Sequence, residues 1–245
     1  TSGMNMDDSM QLAKSYEHYK CGDGFAMKSY ICRPLNLEPQ PGIVFIYEPF
    51  GINSEMQRLA DEIAIEGYAV MIPDLLSRGS WFSCMRRLMR DLKRGEGQGV
   101  DDLIEARNWL AGQTYLSEGR VAVMGLCMGG GFALLLAKSG LFRVSAPFYG
   151  KVPGNLDGAC PIVASYGARD QLTLPDARRL VQEIERLNIP GDLKIYPDAG
   201  HSFMNKAPNR AMKLLGRLLP AHAAYNPEAA ADATKRLIAF LQKHL

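Results

Sequence analysis

Short segments in which every residue is apolar recur along the chain, and stretches of helical periodicity separate them. Residues 43–47 form such a run between Gly42 and Pro49. A run without polar alternation predicts a strand buried on both faces, as in a parallel sheet covered by helices. Residues 68–72 form the next such run, and further strands are predicted at 121–124, 145–148, 162–166 and 193–196.

Apolar residues recur on one side of segment 54–66, which predicts an amphipathic helix with Ser54 as its cap. Gly67 would end this helix. Asp101 and Asp102 open a second predicted helix, 101–111, because acidic residues favour the positive end of a helix dipole. Further helices are predicted at 128–138, 174–187 and 226–243.

The predicted elements define an α/β fold. Two candidate strands, 15–21 and 25–32, flank Gly22-Asp23-Gly24, which predicts an N-terminal β-hairpin. The later strands alternate with helices, which predicts a mostly parallel central sheet with helices on both faces. We expect residues 1–245 to form a single domain, with residues 1–3 a remnant of an expression tag. Segment 74–99 has no firm assignment; folds of this class usually place cap or pocket elements there.

Composition narrows the functional classes. Of 245 residues, 47% are hydrophobic and 22% charged, which is globular composition. The 28 Lys and Arg residues nearly balance 26 Asp and Glu residues, which argues against nucleic-acid or membrane partners. Five cysteines without a C-x-x-C pair favour a reducing compartment, and neither a secretory signal nor a transmembrane run is visible. We therefore expect a cytoplasmic protein, a monomer or small homo-oligomer, that acts on a small molecule.

The segment Gly125-Leu126-Cys127-Met128-Gly129 joins a predicted strand to a predicted helix. Its G-x-C-x-G pattern is that of a nucleophile elbow with sulfur in place of the serine oxygen. The glycines leave room for a tight, strained turn. A helix N-terminus favours the thiolate form of Cys127, and the N–H of Met128 would face a developing oxyanion. The alternative is a buried structural cysteine in a glycine-rich turn.

A nucleophile elbow needs an acid and then a histidine further along the chain. Asp170 and His201 each lie just beyond a predicted strand, at the sheet edge where α/β folds place their ligands. Asp157, Asp176 and Asp198 compete with Asp170, but they are typical of turns or helix starts. Of the four histidines, His201 alone follows a predicted strand in this way.

With these motifs, nearly the whole chain resembles the dienelactone hydrolase (carboxymethylenebutenolidase) family of α/β-hydrolases. The resemblance implies a Cys127-His201-Asp170 triad that forms a thioester acyl-enzyme from small esters or lactones, without metal or organic cofactor. It also implies that Glu48 holds the resting thiol and takes its proton when substrate enters; the alternative is an exposed loop acid. The motifs lie at 43–53, 67–75, 125–130, 149–150, 167–170, 200–203 and 225–233.

Two departures from the family pattern concern oxyanion and substrate binding. The family's second oxyanion donor is the N–H after the glutamate, but that residue here is Pro49, which has none. Phe50 is a candidate replacement. The family's arginine four residues after the histidine is here Asn205. The candidate oxyanion and substrate-binding residues are Met128, Phe50, Arg86, Arg87, Phe203 and Asn205.

Three other functions compete with this one, and the basic cluster of the predicted substrate-binding residues has an alternative of its own. The chain could be a non-catalytic or weakly active family member that binds a small ligand, or a promiscuous thiol hydrolase of other esters, including phosphoesters. The basic cluster around Arg86 and Arg87 could be a solvated helix face. A nucleotide-binding protein is disfavoured, because the glycines after Cys127 do not form G-x-G-x-x-G and no G-K-[ST] is present.

Overall fold

The protein is represented by a computed structural model that describes residues 11–35, 38–206 and 220–245. The predicted tag remnant, residues 1–3, lies outside these residues. The strands are β1 (Leu12–Lys20), β2 (Ala26–Pro34), β3 (Gln40–Ile46), β4 (Ala69–Pro73), β5 (Leu116–Leu126), β6 (Ser145–Phe148), β7 (Ile162–Gly167) and β8 (Gly191–Tyr196). The helices are α1 (Ser54–Ile65), α2 (Trp81–Arg94), α3 (Gln98–Ala111), α4 (Met128–Ala137), α5 (Leu174–Leu187) and α6 (Pro227–His244).

These strands form one sheet in the order β1-β2-β4-β3-β5-β6-β7-β8. The hairpin β1-β2 is antiparallel, and β2 also pairs antiparallel with β4. The remaining neighbours pair in parallel. The predicted fold class, a mostly parallel α/β sheet with an N-terminal hairpin, is confirmed.

The central strands are covered on both faces. Every residue of β4, β6 and β7 is buried, so neither face of these strands contacts water. In β1, by contrast, most residues are at least partly exposed, as suits the edge of the sheet. The continuous apolar runs at 43–47 and 68–72 therefore correctly predicted strands buried on both faces.

The structure corrects two predicted helix starts. Asn53, not Ser54, caps α1: its side chain accepts hydrogen bonds from the N–H groups of residues 55 and 56. Helix α3 begins at Gln98 rather than Asp101, because the buried Asp91 of α2 accepts the N–H of Gly99 at 3.0 Å. The side chain of Asp91, which belongs to α2, therefore caps the start of α3 in place of the acidic residues Asp101 and Asp102.

Segment 74–99 contains helix α2 and the turns that flank it. Ser80 caps the start of this helix, and Gly95, with φ of 77°, ends it in the left-handed conformation that glycine adopts readily. Helix α2 packs against α3 and α4, so it is part of the helical layer beside the sheet.

In the part of the chain that the structure describes, no helix has the length and apolar character needed to cross a bilayer.

Candidate active site

Cys127 occupies the turn between β5 and α4, with φ of 55° and ψ of −113°. This left-handed backbone is strained for a residue with a Cβ, and such strain is typical of functional turns. The turn closes only because its glycines lack side chains. A Cβ on Gly125 would lie 2.0 Å from the carbonyl oxygen of Gly129, and one on Gly129 would lie 2.1 Å from that of Ile46. The G-x-C-x-G spacing is therefore a steric requirement of this turn.

His201 and Asp170 meet beside this turn. The Nδ1 atom of His201 lies 2.6 Å from Oδ2 of Asp170. The carboxylate is fully buried and also accepts hydrogen bonds from the hydroxyl of Thr173 at 2.5 Å and the N–H of Leu172 at 3.0 Å. These three donors outweigh the effect of burial and hold the pKa of Asp170 below its ordinary value. Asp170 is thus a fixed anion behind the imidazole.

Cys127 acts on the same imidazole. Burial by itself lowers the pKa of His201. The hydrogen bond to Asp170 and the hydrogen bonding and charge of Cys127 have a larger, opposite effect and raise this pKa to about 10. The His201 side chain remains 14% exposed, and Cys127 is half-buried. The structure therefore brings Cys127, His201 and Asp170 together.

Glu48 lies just past the end of β3, beside the cysteine turn. The register that pairs Ile46 with Gly125 brings the residues that follow each strand alongside one another. Only 3% of Glu48 is exposed, so the alternative of a solvated loop acid does not hold. Its Oε1 accepts a hydrogen bond from the hydroxyl of Tyr149 at 3.1 Å, and its Oε2 accepts one from the amide of Asn205 at 3.3 Å. The hydrogen bonds of the described residues include none between Glu48 and Cys127.

Helix α1 fixes the segment that carries Asn205. Glu55 accepts the backbone N–H of Lys206 at 2.8 Å, and Arg58 donates to the carbonyl oxygen of Met204 at 3.1 Å. Arg58 and Glu55 are also ion-paired at 2.9 Å. The amide of Asn205 therefore reaches Glu48 from a backbone that is held on both sides.

The start of α4 offers one oxyanion donor. Met128 is its first residue, and the first N–H groups of a helix have no partner within it. On the other side, Pro49 has no N–H, and the indole N–H of Trp81 donates to its carbonyl oxygen at 2.7 Å. Phe50 follows with 47% of its surface exposed.

The remaining predicted substrate-binding residues lie in different surroundings. Arg86 is exposed on α2. Arg87 donates to the carbonyl oxygen of Leu75 at 3.2 Å, and its Nε is buried with no acceptor among the described residues. Phe203 is fully buried, with its ring 5.3 Å from that of Tyr149, so it packs beneath the site. Neither arginine makes a hydrogen bond to the triad within the part of the chain described here.

Sequence reasoning gave no role to Tyr149, Thr173 or Trp81. Tyr149 follows β6 at the same sheet edge as Cys127, which is the signal that could have identified it. Thr173 lies three residues after Asp170, a spacing that lets its hydroxyl reach the carboxylate. The same spacing is common in turns, so it is a weak signal. Trp81 lies in the segment without a predicted structure, so its contact with Pro49 had no local signal.

Comparison with known proteins identifies the family. The model of the dienelactone hydrolase family matches residues 27–245. The chain belongs to this family. It is accordingly a hydrolase of carboxylic esters or lactones, as the resemblance of its motifs predicted. Within the described residues, no group of three or more His, Cys, Asp or Glu side chains is arranged to hold a metal ion.

Relatives and solved structures agree with this assignment. The chain is 28% identical over 236 residues to a carboxymethylenebutenolidase of Pseudomonas putida, covering 89% of this chain and 92% of that one. It is 27% identical over 221 residues to a carboxymethylenebutenolidase of Rhodococcus opacus, covering 83% and 81%. A dienelactone hydrolase-like promiscuous phosphotriesterase from metagenomic libraries has the same fold, with a TM-score of 0.79 over 95% of this chain and 98% of that one, at 20% identity.

Proposed function

We propose that this dienelactone hydrolase-family protein cleaves small esters and lactones with Cys127 as its nucleophile. The observation that carries the proposal is a strained, half-buried cysteine close enough to act on an imidazole that is itself hydrogen-bonded to a buried carboxylate. A cysteine with only a structural role would need neither the imidazole of His201 nor the carboxylate of Asp170. This arrangement supports nucleophilic catalysis assisted by a general acid and base.

In the proposed first step, the thiolate of Cys127, whose proton has moved to Nε2 of His201 to give the imidazolium, attacks the carbonyl carbon of the substrate. The carbonyl π electrons move to oxygen, and the N–H groups of Met128 and Phe50 stabilise the negative charge there. The tetrahedral intermediate expels the alcohol oxygen, which takes a proton from the imidazolium of His201. The products of this step are a thioester on Cys127 and a free alcohol, or a ring-opened alcohol or enol from a lactone.

In the second step, His201 accepts a proton from a water molecule whose oxygen attacks the thioester carbon. The C–S bond breaks, the acid is released and the sulfur returns to its initial state. Asp170 keeps Nδ1 of His201 protonated, so that Nε2 faces the reacting atoms. Esters and lactones suit this chemistry because an alkoxide or enolate leaves more readily than an amine anion.

The test is the hydrolysis of p-nitrophenyl acetate. The wild type is expected to show a burst of p-nitrophenol and an added acetyl mass on the peptide that contains Cys127. Cys127→Ala should remove both, whereas Cys160→Ala, which alters a half-buried free cysteine outside the site, should keep them. Full hydrolysis by Cys127→Ala would refute the proposal. Retained binding of lactones without hydrolysis by the wild type would favour a non-catalytic family member.

Localisation and partners are also proposals. All five cysteines are unpaired, which supports a reducing compartment such as the cytoplasm. We propose a small ester or lactone as the partner, with no nucleic acid or membrane involved, for a monomer or small homo-oligomer. Preserved activity after size-exclusion chromatography at two protein concentrations would show which oligomer is active.

A further inference from the structure

Residues 48–51, which follow β3, form a tight β-turn. The N–H of Gly51 donates to the carbonyl oxygen of Glu48 at 3.2 Å, with Pro49 and Phe50 as the two central residues. Phe50 does not have a positive φ, which a type II turn would require at this position, so the turn is of type I. Pro49 suits the first central position because its ring fixes φ, and Gly51 closes the turn with φ of 73°.

The central peptide of this turn carries two groups that point in opposite directions. Because the peptide is planar and trans, the carbonyl of Pro49 and the N–H of Phe50 lie on opposite sides of it. The carbonyl oxygen accepts the indole N–H of Trp81 at 2.7 Å. The N–H of Phe50 therefore points away from Trp81, and in the described part of the chain it donates to no acceptor. It is thus available to an oxygen of the substrate.

Trp81 is held where it can make this bond. It is the first residue of α2, and the backbone of Leu76 ties the start of that helix to the end of β3. The N–H of Leu76 donates to the hydroxyl of Tyr47 at 2.9 Å, and its carbonyl oxygen accepts the thiol of Cys84 at 3.4 Å. The indole therefore reaches Pro49 from a fixed helix end, although 53% of Trp81 is exposed.

The competing geometry is a type II turn, in which the central peptide is rotated by about 180°. That rotation would turn the N–H of Phe50 towards α2 and aim the carbonyl oxygen of Pro49 the other way, where it would repel an oxyanion. Two features oppose the rotation. One is the Cβ of Phe50, which disfavours the positive φ of a type II turn, and the other is the hydrogen bond from Trp81.

We infer that Trp81 is a positioning residue that orients the peptide between Pro49 and Phe50, so that the N–H of Phe50 stabilises the oxyanion. Pro49 has no N–H to donate, so this task passes to the next residue along the chain. The inference rests on the proposed function, in which Cys127 attacks a carbonyl carbon and negative charge collects on its oxygen. Iodoacetamide reacts with the same sulfur by loss of iodide from a saturated carbon, and no oxyanion forms. A comparison of the acylation and alkylation of Cys127 therefore isolates the contribution of the donor.

The experiment replaces Trp81 with 3-benzothienylalanine, which keeps the fused rings and has sulfur in place of the indole N–H. Acetylation of Cys127 by p-nitrophenyl acetate should slow by at least about fivefold, up to the roughly 10²–10³-fold that loss of an oxyanion donor costs. Alkylation of Cys127 by iodoacetamide should stay within about twofold of the wild-type rate. Trp81→Phe, which also lacks the N–H, should divide the two reactions in the same way.

The matched control is the same replacement at Trp109, the second of the two tryptophans in the chain. Trp109 lies on α3 with its ring centre 6.0 Å from that of Tyr19, and its indole N–H has no acceptor among the described residues. Both reactions of Cys127 should keep their wild-type rates in this control.

Phe50→Gly tests the rotation of the turn itself. Without a Cβ at this position, the rotated turn is no longer disfavoured, and the hydrogen bond from Trp81 becomes the main restraint. Loss of the indole N–H should therefore slow acetylation at least about threefold more in Phe50→Gly than in the wild type.

An unchanged acetylation rate with benzothienylalanine at position 81 would overturn the inference. Equal slowing of acetylation and alkylation would also overturn it, because the bond would then support the site as a whole. So would equal slowing from the replacement at position 109, or an effect of indole loss that is no larger in Phe50→Gly. The proposed function survives each of these results if the wild type gains an acetyl mass on Cys127. Absence of that mass from the wild type would refute both.

Discussion

Replacement of Asp170 by asparagine keeps the shape of the side chain and removes its charge. The buried carboxylate accepts hydrogen bonds from His201, Thr173 and the N–H of Leu172. An amide offers one oxygen and one NH2 group, so it cannot accept from all three donors in the same geometry. A buried donor that loses its acceptor costs about 1–3 kcal/mol, and we expect the free energy of unfolding at pH 7 to fall by about 2 kcal/mol.

The larger effect falls on His201. Its pKa of about 10 exceeds the ordinary value of 6.5 by an amount that corresponds to roughly 5 kcal/mol in favour of the imidazolium. Burial opposes this, so Asp170 and Cys127 supply it. Without the charge of Asp170, we expect the pKa of His201 to fall by about 2 or more. The asparagine can also stabilise the wrong tautomer of the imidazole, and kcat/KM should fall by about 10²–10⁴.

The sign of the pH dependence follows from the two pKa values. The raised pKa of His201 stabilises the folded state fully below pH 6.5, and this contribution is lost as the pH rises towards 10. The lowered pKa of Asp170 stabilises it above the ordinary value of 3.8, and this contribution is lost as the pH falls through the folded-state value. Asp170→Asn should therefore flatten the decline in unfolding free energy between pH 6.5 and 10.

Three measurements check these expectations: urea unfolding from pH 5 to 9.5, NMR titration of His201, and kcat/KM with p-nitrophenyl acetate. The control is Asp176→Asn. Asp176 accepts the N–H of Val152 at 2.8 Å and makes no hydrogen bond to His201 or Asp170 among the described residues. It should keep kcat/KM within about threefold of the wild type. A kcat/KM of Asp170→Asn within about threefold of the wild type, together with an unchanged titration of His201, would show that the charge of Asp170 does not support the imidazole.

Two further predictions concern stability and are measured by urea unfolding. Gly129→Ala places a Cβ 2.1 Å from a β3 carbonyl oxygen and should destabilise by about 3 kcal/mol or more, although alanine is normally favoured in helices. Gly140→Ala meets no atom within 4 Å and should cost only about 1–2 kcal/mol for its positive φ; equal losses would contradict the steric argument. Arg78→Ala should cost about 3–5 kcal/mol because it leaves the charge of Asp102, 3% exposed, buried without its partner at 2.6 Å. Arg186→Ala, at the exposed pair with Asp157, should destabilise far less than Arg78→Ala, and a similar loss in both arginine variants would refute that account.

Local patterns were enough to predict the strands and the elbow. A continuous apolar run depends on its own residues, and the burial of residues 43–46 in β3 and of every residue in β4 confirms that interpretation. The glycines of the elbow were predictable for the same reason, because the tight turn around Cys127 needs them within four residues of one another. Asp170 and His201 could be selected because each follows a strand, and parallel strands end at one sheet edge.

The sequence by itself therefore determined the order of the strands, the mostly parallel sheet and the elbow, whereas helix α2 emerged only from the structure. Only the tertiary structure decided the partners of Glu48, which lie 101 and 157 positions away in Tyr149 and Asn205. It likewise decided that Asp91 of α2 caps the start of α3. Hydrogen bonds between distant segments depend on how whole elements pack, and that packing is a property of the entire core rather than of any local pattern.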